Sequence, residues 1–600
     1  MKENERLRVV DILADHLIAE GSTTVFGIPG GLLHPLVVDI DRRDDIDLVV
    51  TKHEEGSAFM ADGYARASGK IGVCIGTSGP GTTNLMTGVG VAYSDGIPML
   101  VITGQAPFAN LGRGAVQETS RQGIDVVAML APITKYSAMV SSPESFARHL
   151  RRALRLAMTG RRGPVHLNIP VDFWMKEVVR DTIPARPDAY RPESRLFDRG
   201  SVIQAAELLA RAERPVILAG SGVRLSGAKS ELERFADQIG ARVVTTPAAK
   251  GVFPEDHPGA LGVLGFAGHR CARELVMGDV PDVLLSVGAS LNETTTFNWD
   301  PALLPNEALI QVDIDVDRIA RNYPVDVALV GDARAILDEL YFHVRRKLDG
   351  GPSGSRWPED GPTPAFEERL SEPELRASSR SPLTPQRWRA DLQRALPDDA
   401  LVFSDVGGHM LFNIHELCIG REQDFILNLG FGSMGHGTVA PIGAAIASPD
   451  RPIVAIIGDA CFTMNGMELI AAVEYDVPVV WIVENNQMHG ITWHGSQTVG
   501  DKKPLDAIVY KKELKIFHMA RAMGLTAWRV NEPGQLTDVM NEALSLKRPC
   551  LIEVIVDPSV SPPLSERAAT VALGDADERA INEGGERPVD VTTVGGFQCK

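Results

Sequence analysis

Cysteine is scarce in this chain: six in 600 residues, namely Cys74, Cys271, Cys418, Cys461, Cys550 and Cys599, with no CxxC pair among them. That spacing excludes a disulfide framework and a zinc cluster, and it fits a reducing compartment. Long apolar runs are also missing. Nothing approaches the roughly 20 residues of a membrane span, and the opening MKENERLRVVDILADHLIAEG is charged and amphipathic, without a signal-peptide apolar region. A cytoplasmic location is expected. Positive charge is in deficit, with 60 Lys and Arg against 78 Asp and Glu, a net charge of −18. That balance argues against nucleic acid or an anionic membrane as partner.

What is present reads as parallel α/β layers. At 600 residues, with 44% apolar and 23% charged side chains, the chain is too long for one core. A Pro-rich stretch at 183–194 and a Gly/Pro-rich stretch at 350–364 divide it. Short apolar runs alternate with amphipathic segments: 48–50, 71–75, 99–103, 215–219, 283–287, 309–312, 453–457 and 479–483. The expected fold is three doubly wound parallel-sheet domains, at 1–182, 197–348 and 380–563. The Gly/Glu/Asp-rich segment 564–600 is expected to be mobile or to lie on the surface.

The most informative motif is Gly458-Asp459-Ala460, which closes the apolar run from Pro452, with Asn485-Asn486 closing the next run. Between them a helix is expected over 465–475. In a parallel sheet the two tips lie side by side. An Asp and an Asn oxygen there suit a hard cation such as Mg²⁺, which keeps other positions for water or phosphate.

Other motifs have two readings each. Gly430, Gly432 and Gly435 match GxGxxG, which suggests a dinucleotide or a structural turn. Gly220, Ser221 and Gly222 follow a strand, and Asp313 ends another; together they suit the adenosine half of a nucleotide, or ordinary tight turns. Glu54 stands where a strand end passes into a helix, either as a helix-terminal charge or as a catalytic acid. The Thr77–Asn84 turn suits a ligand or mere geometry. His489 and His494, just past the Asn pair, can transfer protons near neutral pH or face solvent.

Taken together, Phe26–Gly31, His53-Glu54, Thr77–Gly81, Ile102–Gln105, Gln117-Glu118, Gly458-Asp459-Ala460 and Asn485-Asn486 resemble the thiamine-diphosphate-dependent decarboxylase and carboligase family. The likeness is strongest to acetohydroxyacid (acetolactate) synthase large subunits, from about residue 5 to 560, with this chain as a divergent member. The resemblance implies a pyrimidine-binding domain, a central domain that holds FAD in synthases, and a diphosphate-binding domain. It also implies active sites between two subunits, hence a homodimer or homotetramer. Mg²⁺ would be held by Asp459, Asn486 and the Met488 carbonyl. Glu54 matches the glutamate that hydrogen-bonds the aminopyrimidine ring, and Met410 the apolar wedge that bends the cofactor. Gly432 and Met434 match positions lining the pyrimidine. Pro29, Gly30, Gly79, Asn84, Gly458, Ala460, Cys461 and His489 complete the expected cofactor contacts. Gly407 and Gly408 fall where two diphosphate-contacting side chains would sit, leaving backbone contacts only. FAD, if held, would meet Arg161, Gly220, Ser221, Gly222 and Asp313.

The chain departs from the synthase pattern at the substrate. Val116 replaces an aromatic, and Leu32 a small residue. Trp493 stands two positions before the usual Trp, at Gly495. The stretch Ser290–Thr296 lacks the arginine that grips a second keto acid. The expected activity is decarboxylation of a 2-keto acid, pyruvate by analogy, with transfer of the acyl carbanion to a carbonyl acceptor without a matching carboxylate. Gln117 and His489 are the further catalytic candidates; Leu32, Gln117 and His494 face the acceptor. The alternatives are a non-ligating 2-keto-acid decarboxylase, a true acetolactate synthase and, in another class, an NAD-type oxidoreductase.

Overall fold

The computed structural model describes residues 5–191, 196–278, 281–348, 357, 363–497 and 505–563. The segment 564–600 lies outside them, as does most of the second linker.

Three six-stranded parallel sheets are built from the apolar runs. The first contains β1 (Thr24–Gly27), β2 (Asp47–Val50), β3 (Gly72–Gly76), β4 (Met99–Gln105), β5 (Ser137–Met139) and β6 (Pro164–Pro170), in the order β2-β1-β3-β4-β6-β5. The second contains β7 (Pro215–Ala219), β8 (Arg242–Thr245), β9 (Ala260–Val263), β10 (Val283–Val287), β11 (Ala308–Asp313) and β12 (Val327–Val330), in the order β9-β8-β7-β10-β11-β12. The third contains β13 (Leu401–Ser404), β14 (Asp424–Leu427), β15 (Ile453–Gly458), β16 (Val479–Asn485), β17 (Thr526–Val530) and β18 (Cys550–Ile555), in the order β14-β13-β15-β16-β18-β17. The central strands are wholly buried, as parallel strands covered on both faces must be.

The first and third sheets therefore share one strand order, 2-1-3-4-6-5. The second has the order 3-2-1-4-5-6, that of dinucleotide-binding folds. Ligands of such open sheets lie beyond the strand C-termini, where the order reverses. That point falls between β1 and β3, between β7 and β10, and between β13 and β15.

Seven helices matter for the site: α1 (Glu54–Ser68), α2 (Met86–Asp95), α3 (Pro385–Gln393), α4 (Gly408–Glu416), α5 (His436–Ala447), α6 (Asp459–Asn465) and α7 (Gly490–Ser496). Helix α1 of the first unit packs directly on α5 of the third. Glycines allow this: a Cβ on Gly63 would lie 1.8 Å from the Ala440 carbonyl oxygen, and one on Gly443 1.8 Å from that of Met60. Within the seam, His436 Nε2 meets Asp62 Oδ2 at 2.6 Å, and Arg66 pairs with both Asp62 and Asp95. One apolar cluster runs through it, from Phe26 and Phe59 to Val439 and Trp481.

The helix expected at 465–475 differs. It starts six residues earlier, with Asp459 as its first residue and Gly458 extended before it. It breaks at Asn465, where a 3-10 turn (Gly466–Glu468) intervenes before Leu469–Glu474. The reason is tertiary: Asn465 Nδ2 is drawn to Glu55 Oε2 at 3.1 Å, and Glu468 accepts the Lys52 N–H with both oxygens at 3.1 Å.

Candidate active site

The first half of the site lies at the β1/β3 reversal. A Cβ on Gly30 would stand 2.4 Å from the Thr77 side chain, so the loops after β1 and β3 touch there. Gly79 takes φ +69°, the left-handed region that favours glycine, and the Gln117 side chain lies over it, 3.6 Å from where a Cβ would be. Glu54 is the first residue of α1, and His53 caps the helix by accepting the Glu55 N–H at 3.2 Å. The Glu54 carboxyl is buried. Its Oε2 accepts from Asn84 Nδ2 at 2.9 Å, and its Oε1 lies 3.3 Å from the Cβ position of Gly81. Glu54, Gly79, Asn84 and Gln117 thus converge. The Leu32 carbonyl packs against Gly104 of β4 nearby, and Pro29 is exposed.

The second half lies at the β13/β15 reversal. Gly458 pairs with Glu484 across β15 and β16, which places Asp459 and Asn486 side by side just beyond the sheet. Asp459 is buried, and its two oxygens accept the N–H groups of Ala460 and Gln487, each at 2.7 Å. Burial pushes its carboxyl up to about 7. Asn486 Oδ1 accepts the Met488 N–H at 3.1 Å, and Met488 bridges to Val509. Among the described residues no three His, Cys, Asp or Glu side chains form a metal cluster. The donor set is one carboxylate with amide and backbone oxygens, which fits a hard cation that retains other ligands. A cation beside Asp459 would also restore the ionised form that burial disfavours.

Met410 is buried in α4, within an apolar cluster that includes Phe266 and Leu427. Ala460 and Cys461 are buried behind Asp459, with the Cys461 thiol 3.3 Å from the Val406 carbonyl. Gly432 takes φ +73° in the turn before α5, and Met434 packs partly buried beside it. Two of the GxGxxG glycines serve packing: a Cβ on Gly430 would meet Asp95 Oδ1 at 2.5 Å, and one on Gly435 would meet Asn465 Oδ1 at 1.9 Å. The turn follows the edge strand β14, away from the strand-order reversal of its own sheet.

A cavity of about 1260 Å³ opens at the third reversal, β7/β10. Ser221, Gly222 and Asp313 line it from the second sheet, Arg161 from the first unit, and Met410 and Gly432 from the third. Gly220 and Gly222 press against the backbone of Gly288, at 2.2 and 2.7 Å from their Cβ positions. Arg161 donates to the Ser94 carbonyl at 2.6 Å, and burial and Arg318 lower its pKa. Burial raises the carboxyl of Asp313. Glu54 and Asp459 do not line this cavity, and neither does His494. His494 is buried instead in a small recess with Gly408 and Asn486. His489 is half-buried, its ring 5.9 Å from that of Tyr510.

Two residues escaped the sequence reading. The buried His409 imidazole fills the space over Gly407 and Gly458, within 2.8 and 2.9 Å of their Cβ positions, and its Nε2 has no hydrogen-bond partner among the described residues. Gly407 and Gly408 therefore leave more than backbone, because the next side chain takes the vacated room. Asp405 holds the glycine turn by accepting the N–H groups of Gly435 and Thr438 at 3.1 Å. Position next to Gly407 and Gly408 was the only sequence signal for either.

Comparison with known proteins agrees with this arrangement. Three family models match: the thiamine pyrophosphate enzyme N-terminal TPP binding domain at 7–129, the central domain at 202–340, and the C-terminal TPP binding domain at 405–554. The "Probable acetolactate synthase large subunit" of Methanocaldococcus jannaschii is 35% identical, over 91% of this chain and 92% of that protein. The acetolactate synthase isozyme 3 large subunit of Escherichia coli is 30% identical, over 92% and 96%. A solved structure of "a putative thiamin diphosphate-dependent enzyme" from Mycobacterium smegmatis superposes with a TM-score of 0.78 at 26% identity, covering 92% of this chain and 100% of that one. The chain belongs to the thiamine pyrophosphate enzyme family. It is an acetolactate-synthase-like, thiamine-diphosphate-dependent enzyme, and the nicotinamide reading falls away. No helix among the described residues is long and apolar enough to cross a membrane.

Proposed function

We propose that the protein is a carboligase that decarboxylates a 2-keto acid, pyruvate by its relatives, and joins the resulting acyl unit to a second carbonyl compound. The observation that carries this reading is the pair of half-sites beyond equivalent strands: Asn84, after β3, bonded to Glu54, and Asp459, after β15, beside the β16 tip that carries Asn486. When bound, thiamine diphosphate would supply a nucleophilic thiazolium carbon and an electron sink for decarboxylation. Glu54 holds a proton at the aminopyrimidine ring nitrogen. Asn84 fixes one of its oxygens and leaves the other for that proton. Asp459, Asn486 and the Met488 carbonyl would hold Mg²⁺, and His409 and the Gly407–Gly408 backbone would face the diphosphate. Met410, Gly432 and Met434 shape the bed of the rings. Gln117 and His489 orient the keto acid, and Leu32 bounds the acceptor side. His494, in the recess that Gly408 and Asn486 also line, remains the second acceptor-side candidate.

The three sheet units take the pyrimidine, nucleotide and diphosphate roles in chain order. Arginines and an acid at a dinucleotide-type reversal support FAD in the large cavity. The likeness to acetolactate synthase large subunits supports sites completed by a second subunit in a homodimer or homotetramer.

The test is reconstitution with thiamine diphosphate and Mg²⁺, feeding pyruvate alone and then with a panel of aldehydes and ketones, with products identified by mass spectrometry. A ligated product is expected. Acetaldehyde as sole product in every mixture would reduce the enzyme to a decarboxylase. Acetolactate from pyruvate alone would identify pyruvate as an acceptor as well. A flavin band near ~450 nm in the purified protein tests FAD.

A further inference from the structure

Beneath the metal–diphosphate half-site lies a buried ion pair with no part in the chemistry above. Arg389 of α3 is 0% exposed, and its Nη1 meets Glu484 Oε2 at 2.8 Å, with Glu484 4% exposed. The guanidinium spends its other donors on three structural points. Nε donates to Asn413 Oδ1 at 2.8 Å, Nη1 also to the Pro385 carbonyl at 2.9 Å, and Nη2 to the His409 carbonyl at 2.9 Å. Trp388 Nε1 donates to the same Glu484 oxygen at 2.9 Å, and the guanidinium lies 4.2 Å from the Trp388 ring centre.

Such a pair is weak evidence for stability, since removing two charges from water cancels much of their attraction. Its placement is informative. His409 and Asn413 belong to α4, whose first turn carries Gly408 and Met410. Glu484 is the residue of β16 opposite Gly458, two before Asn486. Gly408, Glu484 and Asn486 line one small recess. One planar fork thus spans the two elements that carry the diphosphate-facing turn and a metal ligand. A lysine cannot bond all these acceptors at once.

We propose that Arg389, clamped by Glu484, is a positioning residue that sets the spacing between the first turn of α4 and the tip of β16, and so governs affinity for a divalent cation with a diphosphate. The inference rests on the proposed assignment of those two elements to the cofactor.

The test compares wild type with Arg389→Lys and Glu484→Gln, both conservative, by calorimetric titration of Mg²⁺ and thiamine diphosphate into the full-length protein. Thermal unfolding and steady-state kinetics run in parallel. Each variant is expected to weaken cofactor binding about tenfold or more, as losses next to metal ligands do. Their kcat at saturating cofactor should stay within about threefold of wild type. Unchanged binding with a lowered melting temperature would overturn the proposal and make the pair merely structural. So would a lost kcat with unchanged binding. If wild type itself fails to bind thiamine diphosphate with Mg²⁺, the cofactor assignment fails instead. Should Arg389→Lys not fold, Glu484→Gln alone decides, because it keeps the guanidinium and the shape.

Discussion

The Asn84 side-chain amide donates to Glu54 Oε2 at 2.9 Å, a contact between the end of the Gly79 turn and the first residue of α1. It fixes one carboxyl oxygen and leaves the other facing Gly81. Replacing Glu54 with Gln keeps the shape and removes the acid. Turnover should fall by roughly 10²–10⁴, the range for losing a general acid–base group. Calorimetry should still show cofactor binding. Retained activity in Glu54→Gln would remove Glu54 from the chemistry.

The proposed sharing of sites between subunits makes a distinctive prediction. Glu54→Gln and Asp459→Asn should each be inactive alone. Unfolded together and refolded as mixed oligomers, they should regain activity, because one hybrid site then receives both native residues. Activity that stays absent in proven hybrids would show that both groups come from one chain.

Glu468 couples pH to stability. Burial beside the Lys52 backbone pushes its carboxyl up from 4.5 to about 7. The folded state therefore binds the proton more tightly than the unfolded state, so the contribution of Glu468 to stability is full below about pH 4.5 and is lost as pH rises through about 7. The full shift corresponds to at most about 3 kcal/mol. Glu468→Gln should flatten this part of the melting-temperature profile and raise stability at pH 8 relative to wild type. Parallel profiles for the two proteins would assign the pH dependence to other groups.

The α1–α5 seam has no spare room. Gly443→Ala places a methyl 1.8 Å from the Met60 carbonyl oxygen, and backbone must move to admit it. A loss of about 3 kcal/mol, at the upper end of overpacking costs, is expected in denaturant unfolding. Because α1 begins at Glu54, the affinity for thiamine diphosphate should drop as well. A Gly443→Ala protein with wild-type stability and affinity would contradict the packing.

Much of this architecture was legible before any fold was known. The strands at 215–219 and 283–287 appear as expected, and others differ by one or two residues at their ends. Asp459 and Asn486 were recognisable because strand tips are local features, set by an apolar run and the polar residue that ends it. The start of α6 at Asp459 was not legible, since Glu55 and Lys52, more than 400 residues away, set where that helix breaks. His494 reads as a loop histidine, yet it is buried in a recess shared with Gly408, Asn486 and Pro558, a burial that no local stretch shows. His409 and Arg389 gave no signal, because what matters in each is what surrounds it.

The sequence by itself determined the three parallel-sheet units and the chemical identity of the residues at their tips, because hydrophobic periodicity and residue type are properties of the chain read locally. Only the tertiary structure decided that the first and third sheets share one strand order, that the Gly79–Asn84 turn and Asp459 follow equivalent strands, β3 and β15, and that Arg389 binds α4 to β16. Strand order and burial arise from contacts between distant segments, and no local stretch of residues encodes them.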